Sequence, residues 1–350
     1  MEIAEISALL QKLSNAHGIS GFESSVAKII REEIAQYVDE IRTDKMGNLI
    51  AVKNGDNFSI MLAAHMDEIG LIVQYVDEHG FIRFVAVGGW FNPVLVSQRV
   101  LLHGEKGIVP GVLGMKPPHV MSDEDRKKPV SLADIFIDVG ATSPEEVEAL
   151  GISVGTQITI DREFMQMAGT CVTGKAFDNR AGCAMLIGAL REMQTKHTVY
   201  AVFTVQEEVG LKGAKTSSFS LNPDVAIATD VTIPGDSPGI ERRKAPVFMG
   251  KGPVVVAVSA SGRGHIADPR VVSWLTKTAK KSDIPVQVEV GDGGNTDASV
   301  INFERGGIPS VPVSVPARYI HSPVEVLDLK DVQACISLIA KAVATKPKLN

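Results

Sequence analysis

Cysteine is scarce in this sequence: Cys171, Cys183 and Cys335 are odd in number and show no Cys-x-x-Cys spacing. That pattern argues against a disulfide framework or a thiolate zinc site, and a reducing cytoplasm is the expected compartment. Aromatic residues make up only 5% of the chain, too few for the stacking platforms that usually line a sugar-binding cleft. No apolar run approaches the roughly 18 to 20 residues of a membrane-spanning helix, so no membrane partner is expected. Basic charge is not in excess either. Lys and Arg total 35 against 41 Asp and Glu, a formal charge of -6, which gives no electrostatic reason to bind nucleic acid. The first residues lack a basic start and an apolar block: Glu2, Glu5 and Lys12 are set among Ile3, Ile6, Leu9, Leu10 and Leu13, an amphipathic helix rather than a signal peptide.

What the chain has is length and apolar content. Its 350 residues are 45% hydrophobic, enough for a sizeable core in two domains, or in one domain with a large insertion. Apolar residues at Val26, Ile29, Ile30, Ile34 and Val38 predict a helix over 24–38. Extended segments follow at 49–53 and 59–64, the second an almost unbroken apolar run suited to a strand buried on both faces. From Ile69 to about Ile160 the texture turns β-rich: segments 71–76 and 81–87 flank Asp77-Glu78-His79-Gly80, a hairpin signal. After Gly174, helices at 180–193, 269–281 and 329–344 are interspersed with strands at 198–205, 225–228, 253–259, 286–290 and 310–315. That rhythm predicts the α/β class, a layered sheet interrupted by a β-rich insertion. Residues 345–350 are expected to fray.

Several short segments carry potential chemistry. His65 and Asp67 follow the 59–64 strand two residues apart, so in extended chain Asp67 can approach the His65 ring and fix its tautomer while the other nitrogen faces a metal; a surface turn with a solvated Asp is the alternative. Asp178, in Gly174-Lys175-Ala176-Phe177-Asp178-Asn179-Arg180, is either an ordinary N-cap or a carboxylate held where it can bridge two cations. Glu207 and Glu208 are either solvated loop acids or a pair dividing its labour, one a ligand and one a base. Asp230 and His321 are weak signals alone. As a set, His65, Asp178, Glu208, Asp230 and His321 lie at or just beyond the predicted ends of sheet elements, the edge where open α/β sheets place their sites. Mixed imidazole and carboxylate donors suit Zn or Co rather than Mg or Ca, and two histidines with shared carboxylates are like a di-metal hydrolase.

Five stretches, AHMDEIG from Ala64, GKAFDNRAG from Gly174, QEEVGLKGA from Gln206, ATDVT from Ala228 and IHSPVEV from Ile320, resemble the TET-type, or tetrahedral, metallo-aminopeptidase family. Its members include glutamyl aminopeptidases and chains with an endoglucanase label. The resemblance runs over nearly the whole chain and implies peptide substrates and two divalent metal ions per subunit. It implies that Asp178 bridges the metals, that His65 and Asp230 complete one site and that Glu208 and His321 complete the other. Glu207 becomes the general base, Asp67 the carboxylate behind His65, and the Asp178-Asn179 peptide cis. It further implies a metallopeptidase catalytic domain of residues 1-68 and 165-350, with 69-164 an inserted, barrel-like dimerisation domain whose dimers build a hollow tetrahedral dodecamer. The turn 291–297 carries an extra Asn relative to the family pattern. His119 reads as structural. The rival reading is a carboxypeptidase or N-acyl amino acid deacylase on the same metals, with Arg242, Arg243 and Lys244 to hold a substrate carboxylate; the low aromatic content tells against a glycosidase.

Overall fold

The computed structural model describes residues 1–291 and 293–349. Asp292 of the glycine-rich turn and Asn350 of the tail lie outside the described residues. Strand Asp56–His65 is the spine of the large sheet. It pairs in parallel with His197–Thr204 on one side and Val225–Thr232 on the other, and Ser310–Arg318 lies parallel to the latter. Leu49–Lys53 and Glu40–Thr43 extend the sheet antiparallel at one edge. Beyond Ser310–Arg318 come Glu325–Asp328, Cys171–Gly174 and Met165–Gln166, while Val254–Ser259 branches off and carries Gln287–Val290.

Both faces of the spine are covered, which explains its unbroken apolar run. Ile60, Leu62 and Ala64 point into the core beneath helix Phe177–Glu192, which packs with Ile3–Asn15 and Leu329–Ala342. Met61 and Ala63 face the other way, toward Ala214 and Ile301. Each wholly buried side chain of Leu or Ile size stabilises the sheet by roughly 1.5–3 kcal/mol.

Six strands, Gly70–Val76, Ile82–Val87, Arg99–Gly104, Gly107–Met115, Ile135–Asp138 and Gln157–Ile160, close into a barrel. The expected hairpin joins the first two: the Asp77 carboxylate accepts from the backbone N–H groups of His79 and Phe81, and Gly80 takes φ 84°. Leu71, Val73, Leu102, Leu113, Ile137 and Ile158 fill the interior. The α/β class and the barrel therefore follow the sequence reading.

Two local expectations do not hold. The second helix spans Ser24–Ile34 and stops short of Val38, with Tyr37 N–H turning back to the Ile34 carbonyl. The tail to Leu349 is docked rather than frayed: Trp274 Nε1 donates to Thr345 Oγ1 at 2.9 Å, Lys346 lies over the Phe58 ring, and Leu349 packs against the core.

Candidate metal centre

His65 is the last residue of the spine strand and pairs in register with Thr204, after which the chain turns through Gln206 into Glu207 and Glu208. Asp230 lies inside its strand, not beyond it, because Val231 and Thr232 continue the ladder opposite Val315 and Pro316. His321 follows Ser310–Arg318, and Asp178 follows Cys171–Gly174 across a short turn. All five ligand candidates thus converge near the carboxyl ends of the parallel strands, with Asp178 brought there by the turn that follows the antiparallel strand Cys171–Gly174.

The convergence is close. His65 Nε2 lies 3.1 Å from Asp178 Oδ1 and 3.8 Å from Glu207 Oε2. His321 Nε2 lies 3.5 Å from Asp178 Oδ2 and 3.3 Å from Glu208 Oε1. Asp178 therefore stands between the imidazoles with one oxygen toward each. Donor atoms of His65, Glu207 and Asp230 lie within 4.8 Å of one another, as do those of His65, Asp178 and Glu208. Glu207 is thus near enough to share a cation, and proximity alone does not separate a base from a ligand.

Local sequence explains how Asp178 is free for this position. Asp178 and Asn179 have non-helical dihedrals at the head of Phe177–Glu192, and the peptide between them is cis. The capping is done by Asn179, whose Oδ1 accepts from Gly182 N–H at 2.9 Å while its amide donates to the Thr229 carbonyl at 2.7 Å. The N-cap alternative for Asp178 is thereby corrected: its neighbour satisfies the helix end. Gly182 is required for this arrangement, since a Cβ there would stand 2.1 Å from Asn179 Oδ1. Arg180, fully buried, donates to the carbonyls of Met66, Leu13, Ala16 and Gly18, and Lys175 Nζ lies 2.8 Å from Glu68 Oε2. The charged residues of that motif pin the turn instead of facing the cleft.

Asp67 is wholly buried, not a solvated turn residue. Its carboxylate accepts from Ser20 Oγ at 2.6 Å and from the backbone N–H groups of Glu207 and Glu208 at 3.0 and 3.1 Å, and lies 3.5 Å from His65 Nδ1. His65 Nδ1 is hydrogen-bonded to the backbone carbonyl of Asp67 at 3.1 Å, so Asp67 orients the ring through its main chain while its carboxylate fixes the turn that presents both glutamates. Glu325 has a matching task that the sequence reading missed. Its two oxygens accept from Asp178 N–H at 2.9 Å and His321 N–H at 3.0 Å, tying two ligand candidates together. The available signal was an acid four residues after a histidine in a turn closed by a strand. His321, Gln206 and Ala176 are non-glycine residues with positive φ, and such conformations collect where surrounding bonds over-determine the backbone.

Charge is unbalanced here. Burial pushes the carboxyls of Glu207, Glu208 and Asp230 upward, and neighbouring acids add to it. Burial also acts on Asp178, but hydrogen bonds from His321 and His65 outweigh it and hold its carboxyl below the usual range. Burial would lower His321, yet Asp178 and Glu208 carry it up to about 11. Asp297, with Thr204 Oγ1 donating to Oδ2 at 2.6 Å and its Oδ1 unpartnered among the described residues, is raised to about 6 by burial. Buried acids outnumber buried imidazoles, an arrangement that divalent cations balance.

A cleft of about 670 Å³ opens over these residues, with Ile233, Ile240, Val256 and Val258 on its apolar side. The loop that follows barrel strand Ile82–Val87 approaches the site through Gly89, where a Cβ would lie 3.0 Å from His321 Nδ1. Of the three cations that would suit a carboxylate substrate, Arg243 pairs with Glu241, Arg242 lies over the Phe248 ring, and Lys244 lines the cleft, its side chain 64% exposed. His119 lies in an exposed turn of the insertion.

Residues 47–338 match the family described as M42 glutamyl aminopeptidase. The lysyl aminopeptidase of Pyrococcus furiosus is 35% identical, with 97% of each chain covered. A TET aminopeptidase from a marine sediment Thaumarchaeota archaeon superposes with a TM-score of 0.95 at 39% identity, over 99% of this chain and 97% of that one. The TET1 peptidase of Pyrococcus horikoshii gives a TM-score of 0.87 at 35% identity, over 99% and 100%. This α/β sheet with its barrel is therefore that of a peptide hydrolase. More narrowly, the chain belongs to the M42 glutamyl aminopeptidase family and is an aminopeptidase.

Proposed function

We propose that the chain removes N-terminal residues from peptides with two divalent metal ions, zinc or cobalt, held by His65, Asp178, Glu208, Asp230 and His321. The observation that carries this reading is Asp178 between two imidazoles with further buried carboxylates around it. Two separate imidazole and carboxylate donor sets sharing one acid suit a pair of borderline cations better than a single hard one. The ions would supply polarisation of the scissile carbonyl and acidification of water. Asp178 would bridge, with His65 and Asp230 on one side and Glu208 and His321 on the other.

The protein's own groups then have distinct tasks. Glu207 takes the proton of the attacking water on a carboxylate oxygen and returns it to the leaving amine. Burial raises its affinity for protons, which helps it to take one from the attacking water. Asp67 keeps the His65 ring turned so that Nε2 faces the centre. Glu325 keeps Asp178 and His321 in register. Apolar residues along the cleft exclude bulk water from the reacting bond.

Residues 69–164 would form a dimerisation domain inserted into a catalytic domain of 1–68 and 165–350. The chain would assemble as a homo-oligomer, dimers building a tetrahedral dodecamer, as the TET1 peptidase of Pyrococcus horikoshii can assemble into a tetrahedron or an octahedral shell. The cytoplasm is the compartment that suits its three free cysteines.

The test is to strip the protein by exhaustive chelation, verify metal removal by elemental analysis, and refill it with zinc or cobalt. Hydrolysis of an aminoacyl anilide should vanish and return, and an N-acetylated amino acid should stay intact. Full activity in verified metal-free protein would refute the two-metal reading, and preferential cleavage of the N-acetylated compound would favour a deacylase.

A further inference from the structure

Strand Gln287–Val290 pairs with Val254–Ser259 and lies at the edge of its branch of the sheet. Its alternation is inverted. Val288 and Val290 are 49% and 64% exposed, while Glu289 between them is only 5% exposed. An inward charge on an edge strand can discourage unwanted pairing, but that does not explain where this carboxylate points. Glu289 lines the same cleft as His65 and Asp230. Thr232 Oγ1 donates to its Oε2 at 2.8 Å, and among the described residues no lysine, arginine or histidine forms an ion pair with it.

The place of that hydrogen bond sets a length. Thr232 lies two residues after Asp230 on one strand, so the two side chains share a face about 7 Å apart. A buried carboxylate thus stands roughly one long side chain away from a candidate metal ligand. Val256, Val258 and Ile240 line the same cleft, an apolar wall suited to a methylene stem.

We propose that Glu289 sets specificity by receiving the cationic side chain of a lysine or arginine at the N-terminus of the substrate. The inference rests on the aminopeptidase reading above and deepens it. With the scissile bond at the metal centre, the stem of the first residue lies along the apolar wall and its ammonium or guanidinium reaches the carboxylate. The competing charge is Lys244, which would favour an acidic residue. Its side chain is 64% exposed and is 3.7 Å from Glu241, so solvent screens it, whereas a charge at the depth of Glu289 is screened far less.

The experiment compares kcat/KM of the metal-loaded full chain on lysyl, norleucyl and glutamyl p-nitroanilides, norleucine having the lysine stem without its ammonium. Lysyl should exceed norleucyl by about 10- to 100-fold, the usual worth of a hydrogen bond to a charged group, with glutamyl lowest. Glu289→Gln should collapse the lysyl-to-norleucyl ratio toward one, and Lys244→Ala should leave that ratio in place. If Glu289→Gln does not fold, the wild-type ratio decides. A wild-type ratio near or below one with norleucyl readily cleaved overturns the inference alone, as does a glutamyl preference abolished by Lys244→Ala. Failure to cleave all three while an N-acetylated amino acid is hydrolysed overturns the aminopeptidase reading, and this inference with it.

Discussion

Glu207 and Glu208 are neighbours in sequence yet face different histidines, Glu207 toward His65 at 3.8 Å and Glu208 toward His321 at 3.3 Å. Glu207→Gln preserves shape but would remove the proposed base, so turnover should fall by about 10² to 10⁴, with metal content by elemental analysis unchanged. Glu208→Gln should instead lose metal, because an amide oxygen is a poorer ligand than a carboxylate. The opposite pattern would exchange the two roles. Glu325→Gln turns an N–H group toward one of the two backbone N–H donors it now accepts from, and metal affinity should drop about 10- to 100-fold. A chelator-competition titration with unaltered affinity would reduce Glu325 to a packing residue. The candidate ligands were legible in the sequence because His65, Glu208, Asp230 and His321 each lie at or near the end of a recognisable apolar run, and Asp178 lies in a glycine-led turn into a helix. Glu325 was not, since its significance lies in two backbone N–H groups brought together only by tertiary structure.

Helix Phe177–Glu192 depends on one side chain at its start. Replacing Asn179 by Ala removes the cap and should cost about 0.5–2 kcal/mol. Gly182→Ala drives a methyl into Asn179 Oδ1 and should cost about 1–3 kcal/mol, lowering the thermal midpoint seen by circular dichroism. An unshifted midpoint in Gly182→Ala would mean that the turn relaxes freely. Most major elements could be read beforehand, because continuous apolar runs and 3.6-residue spacing are strong patterns. Helix Lys212–Leu221 could not: its KGAKTSSFSL sequence has little helical preference, and Ser217 and Ser218 bond back to the carbonyls of Gly213 and Ala214. Packing creates it, with Gly213 so close to the neighbouring strand that a Cβ would lie 2.5 Å from Val205 N.

Across the whole molecule, sheet and barrel meet at His17 and His103, whose rings lie 4.9 Å apart and both contact the Thr159 hydroxyl. Burial, with Lys175 adding, lowers His17 from 6.5 to about 4. Between those values the unfolded chain binds this proton and the folded one does not. Stability from His17 is therefore complete above about pH 6.5 and is lost as pH falls toward 4. Urea midpoints should decline less steeply over this window in His17→Gln than in the wild type, and parallel declines would count against the assignment. If the barrel is a dimer interface, light scattering should report a homo-oligomer, and a monomer at working concentration would refute it. The order of strands has a further consequence, for synthesis. The spine Asp56–His65 emerges early but must wait for His197–Thr204 and Val225–Thr232 to flank it, and His321 arrives later still. Such distant pairings form slowly and late. A nascent chain on the ribosome therefore holds an incomplete set of candidate ligands until His321 has been translated.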